Sequence, residues 1–316
     1  MDPLTHSLTA LMLSRAGFDR LHRRAPITLI LAANAPDIDG LSLFGGLLPY
    51  IEYHRGLPHS LIFMPVMAAL APLVVCGFTR DFGGWLRLYI MSFVAIASHL
   101  LLDWTNTYGI RLLLPFSSEW FHLDLNSLTD AWIMAVLLIA WLMVYLVRLV
   151  NTEIGAKPGT GRGLAIFALA FFLTFDGWKF FLHQQGINML NARIYDGAVP
   201  TRVAVFPSAS NPFRWRGWVE TPTLFKRYTL NVTHDFDPSS GDTFYKPDAP
   251  GPIAAAKATP TFQRFLSFDQ YPRWTATPAP EPEGATQVEL LDLRLPFRAI
   301  AIVDASNKVV RTSTAF

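Results

Sequence analysis

Four apolar runs, each about as long as a bilayer core is thick, constrain this chain more than anything else in it. A helix needs roughly 20 apolar residues to cross the hydrocarbon. Residues 61–78 carry no charge, residues 85–102 hold one arginine near their start, and residues 131–147 and 163–182 follow. Shorter apolar stretches near 4–14 and 25–36 cannot cross, and read as a re-entrant or interfacial helical hairpin. Charged residues make up only 16% of the 316, against about 25% in soluble domains. A net charge of +2 leaves no field to hold nucleic acid. The single cysteine, Cys76, excludes a disulfide scaffold and a CxxC metal site. Met1 is followed by Asp2-Pro3 rather than by a basic segment, so no cleavable signal peptide is expected.

After about residue 190 the texture changes. Period-two alternation bounded by turn residues predicts strands at 201–206, 223–232, 288–293 and 299–303. Residues 238–260 read as a long surface loop and 260–270 as a short helix. The expected fold is an all-α integral membrane domain over residues 1–190, with about four transmembrane helices plus the N-terminal hairpin. A small β-rich or α+β soluble domain follows over 191–316. No internal repeat is evident.

Ionisable groups near hydrocarbon are expensive and therefore functional candidates. Here they are His6, Asp37, Asp39, His54, His59, His99, Asp103 and Asp130. Threading the chain through the bilayer brings them together. His6 opens the first short helix and Asp37 closes the second, so a hairpin puts both at one end. His59 precedes the 61–78 run, and His99 and Asp103 lie at the exit of the returning one. Asp130 opens the third. One membrane face thus collects imidazoles and carboxylates.

His99 and Asp103 are an i, i+4 pair, so they share a helix face. In HRGLPHS, Gly56 and Pro58 interrupt helix and aim His54 and His59 from different directions. Imidazoles with carboxylates and no thiolate suit zinc, manganese or iron(II). Eight ligands exceed one tetrahedral ion, so one to three divalent ions are expected. Two ions about 3.5–4 Å apart suit a phosphoryl displacement.

Several residues also have structural readings. Asp130 suits the N-cap of the third run, one of Asp37 and Asp39 suits orienting a ligand, and Asn106 and Thr107 suit a turn before Gly109. Asp176 and Lys179 read as a self-satisfied i, i+3 pair. His22 lies away from the cluster, His122 and Asp124 lack a partner spacing, and His183 and His234 read as surface residues.

THSLTA, PDID, HRGLPHS and SHLLLDWTNTYGIRLLLPFS, in that order, together resemble the YdjM-like family of bacterial inner-membrane proteins. That family is described as LexA-regulated, membrane-bound, metal-dependent hydrolases. The resemblance covers roughly residues 1–150. By it, His99 and Asp103 match the family's HxxxD pair, and His6, Asp37, His54 and His59 match its other polar positions. The family is in turn distantly similar to zinc-dependent phospholipase C, which also ligates metal through a free N-terminal amine. Met1 shows no recognisable processing site, so that ligand is not carried over.

Arg15, Arg20, Arg23, Arg24, Arg80, Arg87, Arg148, Lys157 and Arg162 fall at the end away from the cluster, against Arg55, Arg111 and Lys179 on its side. The positive-inside rule then puts the metal site and the C-terminal domain on the periplasmic or outer side. The expected activity is hydrolysis of a phosphoester, amphiphilic or lipid-linked, by metal-activated water. Asp37 or Asp39 would orient the water or take its proton, and Arg55 or Arg111 would hold phosphate oxygens. The alternatives are a metal-ion transporter or sensor, or a non-catalytic assembly protein with a structural metal.

Overall fold

The computed structural model describes residues 1–155 and 161–315. Lys157, counted above among the basic turns, lies outside the described residues, as does the side chain of Arg148.

The N-terminal half is helical. Helix α1 (Pro3–Ala16) starts where Asp2 accepts hydrogen bonds from the Thr5 amide at 3.0 Å and the Thr5 hydroxyl at 2.7 Å, satisfying donors the first turn leaves open. Helix α2 (Ala25–Asn34) returns beside it. Asn34 Nδ2 donates to Ser7 Oγ at 2.9 Å and ties the open ends of the hairpin. A 3-10 stretch (Pro36–Gly45), helix α3 (Leu47–Tyr53) and a short 3-10 turn (Leu57–His59) lead into α4 (Met64–Thr79). Helices α5 (Trp85–Thr105), α6 (Ala131–Glu153) and α7 (Arg162–Asn191) complete this half.

Helices α5, α6 and α7 are long and apolar enough to cross a membrane. The number rises to five if two bent pairs each form one span: Ala25–Asn34 with Pro36–Gly45, bent by 45°, and Leu47–His59 with Met64–Thr79, bent by 85°. The apolar run at 61–78 becomes regular helix only from Met64, with Pro65 in its first turn. Helix α1 sits at the centre. Its Ala10 packs into a core with α2, α4 and α5, while Leu8 and Met12 pack with Ile133, Leu137, Ala168 and Phe172 of α6 and α7. Outward faces keep Phe78, Ile90, Ile139, Phe167 and Phe181 exposed, an apolar surface that water would not tolerate over this extent.

The C-terminal part is two four-stranded antiparallel meanders. The first holds β1 (Arg202–Pro207), β2 (Arg214–Glu220), β3 (Leu224–Asn231) and β4 (Asp242–Tyr245). Helices α8 (Pro250–Lys257) and α9 (Pro260–Phe268) connect it to the second. That sheet holds β5 (Pro272–Pro278), β6 (Thr286–Asp292), β7 (Arg298–Val303) and β8 (Val309–Ala315). The span expected as loop, 238–260, therefore contains an edge strand and a helix. Strand β4 is only four residues long, and its pairing with β3, such as Phe225 opposite Phe244, gives no local alternation to detect.

Two apolar contacts stand out among those that tie the halves together. The last turns of α7 pack Leu182 and Leu190 against Val205, Trp215, Val219 and Leu230 of the first sheet. Gly186 permits this approach, since a Cβ there would lie 3.0 Å from a Val205 methyl. Helix α9 buries Phe262, Phe265 and Phe268 in one cluster with Leu47, Ile51, Tyr108 and Trp120. Trp120 Nε1 donates to the Ser267 carbonyl at 3.2 Å. The second sheet and its helix thus roof the loop beside the polar cluster.

Candidate metal centre

Four separate chain segments end at one point. The start of α1 brings Met1 and His6, the residues after α2 bring Asp37 and Asp39, the bent turn before α4 brings His54 and His59, and the last turns of α5 bring His99 and Asp103. Asp37, His59, His99 and Asp103 form a group able to hold a metal ion, their ligand atoms all within 4.8 Å of one another. His99 Nε2 lies 3.3 Å from Asp103 Oδ2, and His59 Nε2 lies 3.4 Å from Asp37 Oδ1 and 3.6 Å from Asp103 Oδ2. His6 stacks on His99 with ring centres 3.9 Å apart, and its Nε2 is 3.4 Å from Asp103 Oδ1. His59 and His99 rings are 5.0 Å apart. Three imidazoles distant in sequence converge.

The surroundings decide which nitrogen of each ring is available. His99 Nδ1 lies 2.6 Å from the Ala33 carbonyl, which can only accept. The proton therefore sits on Nδ1, and Nε2 presents its lone pair. His59 Nδ1 lies 3.0 Å from Asp39 Oδ2, with the same consequence for its Nε2. Asp39 also accepts from His54 Nδ1 at 2.8 Å and from the Gly56 amide at 3.2 Å. Asp39 and His54 thus orient the ring of His59 and lie outside the group of four.

His59 Nε2, His99 Nε2, Asp103 Oδ2 and Asp37 Oδ2 are buried without a hydrogen-bond partner, as are both nitrogens of His6. Buried polar atoms are rarely left so. Unpaired imidazole nitrogens facing unpaired carboxylate oxygens fit a shared cation.

Asp103 is the hub. Beside the histidines, its Oδ1 receives Arg55 Nη2 at 2.9 Å and Asn106 Nδ2 at 3.2 Å. It also accepts from the buried α-amine of Met1. The amine that sequence reading left out is thus placed inside the cluster. Arg55, only 2% exposed, also donates to Asn106 Oδ1 at 3.1 Å and the Gly109 carbonyl at 2.9 Å. Its backbone is left-handed, φ 55°, a conformation that costs a non-glycine residue about 1–2 kcal/mol. Tyr108 covers the guanidinium at 4.6 Å. Arg55 therefore braces Asp103, with little left to offer a substrate. Arg111 donates to the Glu52 carbonyl at 2.6 Å and lies over Trp120 at 4.9 Å.

Asp130 is placed elsewhere. Its Oδ1 caps α6 through the amides of Trp132 and Ile133, and its Oδ2 accepts from Lys179 Nζ at 2.7 Å. Lys179 also reaches Asn126 Oδ1 at 2.9 Å, and Asn126 Nδ2 donates to Asp176 Oδ1 at 2.9 Å. Lys179 and Asp176 so belong to one network through Asn126, rather than to a pair of their own. Asn106, read from sequence as turn chemistry, holds both Arg55 and Asp103. Its signal was the i, i+3 spacing from Asp103 at a helix end.

Asp39→Asn is expected to weaken divalent-metal affinity by about 10–100-fold, the usual effect of removing a carboxylate that orients a ligating histidine. Competition with a chelating dye checks this, and an unchanged affinity would show that His59 needs no such support.

The chain is similar to known proteins over most of its length. Uncharacterized protein YfhP of Bacillus subtilis (strain 168) is 24% identical over 251 residues, covering 78% of this chain and 71% of YfhP. No solved structure matches the chain. Residues 1–186 match the YdjM inner membrane protein family, a stretch that contains every residue of the group described above, and the chain belongs to that family.

Proposed function

We propose that this membrane protein is a metal-dependent hydrolase of phosphoesters, with Asp37, His59, His99 and Asp103 holding a divalent ion, zinc being the best match. One observation carries the reading: buried imidazole and carboxylate atoms face one another with no internal partner. The absence of thiolates in the donor set favours zinc, manganese or iron(II). A divalent ion held there would supply charge stabilisation and the means to activate a water near neutral pH.

The chain's own groups divide the remaining work. Asp39, with both oxygens engaged by donors, orients His59 and has no free lone pair aimed at a substrate. Asp37 is 18% exposed while the other three side chains are fully enclosed, and its Oδ2, buried and without a hydrogen-bond partner, is the oxygen left to receive a proton. Arg55 holds Asp103 in place through its 2.9 Å contact.

The approach to Asp37 runs beside Ile38, Leu41 and Phe44, which are 56%, 62% and 91% exposed. An apolar lip beside an ion site favours an amphiphilic substrate with a phosphate at the boundary between head and tail.

Purified chain is expected to carry stoichiometric metal, and His99→Ala to lose it. The wild type is expected to hydrolyse at least one member of a phosphoester panel, stopped by chelator and restored by zinc or manganese. Metal bound without turnover of any ester would leave a structural role for the ion and sink the hydrolase.

The distribution of arginines and lysines favours the basic turns in the cytoplasm and the metal centre outside. Alkaline phosphatase fused after residue 200 is expected to be active, and after residue 155 inactive. The reverse pattern overturns this orientation.

A further inference from the structure

Away from the metal centre, a cavity of about 360 Å³ opens between the two sheets of the C-terminal part, within the size range of small-molecule sites. Arg216 and Arg227 line it from the first sheet, Arg273 from the second, and Arg294 from the turn after β6. Three side-chain atoms on this lining are buried without a partner: Trp218 Nε1, Arg273 Nε and Arg294 Nη1. All three are donors. The carboxylate on the lining, Asp292, is already engaged by Arg294 at 2.9 Å and by the amides of Arg294 and Leu295.

The positive charge is only partly neutralised from within. Arg227 pairs with Asp242 at 2.7 Å. Among the described residues neither Arg216 nor Arg273 has a carboxylate ion-pair partner; Arg216 donates to the Arg294 carbonyl at 3.0 Å and Arg273 lies over Phe244 at 4.4 Å. Burial and the nearby Arg227 charge push both guanidiniums below the ordinary arginine value. Arg294, 5% exposed, is the buried end of the set. A concave lining whose spare groups are all donors, with excess guanidinium, is complementary to an anion of several acceptor oxygens. Guanidinium forks match phosphate through paired hydrogen bonds.

We infer that the cleft between the two sheets is a phosphate-binding site, separate from the metal centre, in which Arg216, Arg273 and Arg294 take the oxygens of a phosphate monoester. The same chemistry is offered by a soluble phosphorylated metabolite and by a lipid headgroup.

The test uses the full chain in neutral-detergent micelles, stripped of metal with chelator so that the ion site contributes nothing. Glycerol 3-phosphate and short-chain phosphatidic acid are titrated by calorimetry, with short-chain phosphatidylcholine as the control lipid. Saturable binding of either phosphate monoester supports the site. Equal affinity for both identifies the phosphate alone as the recognised group, and a preference for phosphatidic acid identifies a lipid source. Arg216→Gln with Arg273→Gln is expected to weaken binding at least tenfold, whereas Arg298→Gln leaves it unchanged. Arg216→Gln alone serves if the double variant does not fold and is expected to weaken binding several-fold. Absence of saturable binding by both monoesters, or binding insensitive to the arginine changes, overturns the proposal.

Discussion

Asp103→Ala is expected to remove bound metal and to destabilise the folded chain by about 3–5 kcal/mol, the usual consequence of leaving a buried charge without its partner. The size follows from what Asp103 holds. It is a member of the ligand group, and its other oxygen neutralises Arg55 at 2.9 Å and accepts from the Met1 amine. The guanidinium and the amine are both buried, so truncation strands them where water cannot replace the carboxylate. His99→Ala makes the contrast. It also removes a ligand, but strands only the Ala33 carbonyl, a loss of about 1–3 kcal/mol for an unpaired buried polar group. Metal content and unfolding midpoints of the two variants, measured side by side, separate ligation from charge balance. Equal destabilisation by both would show that Arg55 finds another anion or water.

Lys179→Met is expected to cost a similar 3–5 kcal/mol without touching the metal centre. Lys179 is 1% exposed and joins α7 to the start of α6 through Asp130 and to the loop after α5 through Asn126. Replacing it leaves the buried Asp130 carboxylate without its cationic partner. Lys179→Met combined with Asp130→Asn should recover much of the loss, because the amide still caps α6 and no charge remains unmatched. Thermal unfolding in micelles of the two single variants and the double one measures this coupling. Additive losses would mean that the pair contributes nothing beyond its separate contacts, and retained metal in all three confirms the separation of the networks.

The two substitutions also show where sequence reading succeeds and where it stops. His99 and Asp103 were legible because an i, i+4 pair shares a helix face whatever else the chain does. His6, Asp37 and His59 were legible because apolar runs alternate direction across a bilayer and deliver their ends to the same side. Asp130 was ambiguous for the opposite reason. A carboxylate at a helix start satisfies local amides and distant cations alike, and only Lys179, 49 residues away, settles its partner. Arg55 resembled a phosphate binder because it adjoins a ligand motif. Its engagement with Asn106, 51 residues on, becomes visible only in three dimensions. In the C-terminal part, strands with strong alternation such as β3 and β7 were legible, whereas β2, β5 and β8 were not. Their arginines, threonines and prolines carry no period-two signal, and pairing with a neighbour is what makes them strands.

Sequence alone determined that the chain is membrane-embedded, helical first and β-rich after, and which side chains are candidates for a metal, because hydropathy and helical spacing are local properties. Tertiary structure decided which candidates meet, that Asp39 orients rather than joins the group, that Asp130 belongs to Lys179, and that the second sheet and its helix cover the loop beside the centre. Those outcomes depend on distances between residues far apart in the chain, which packing sets and composition does not record.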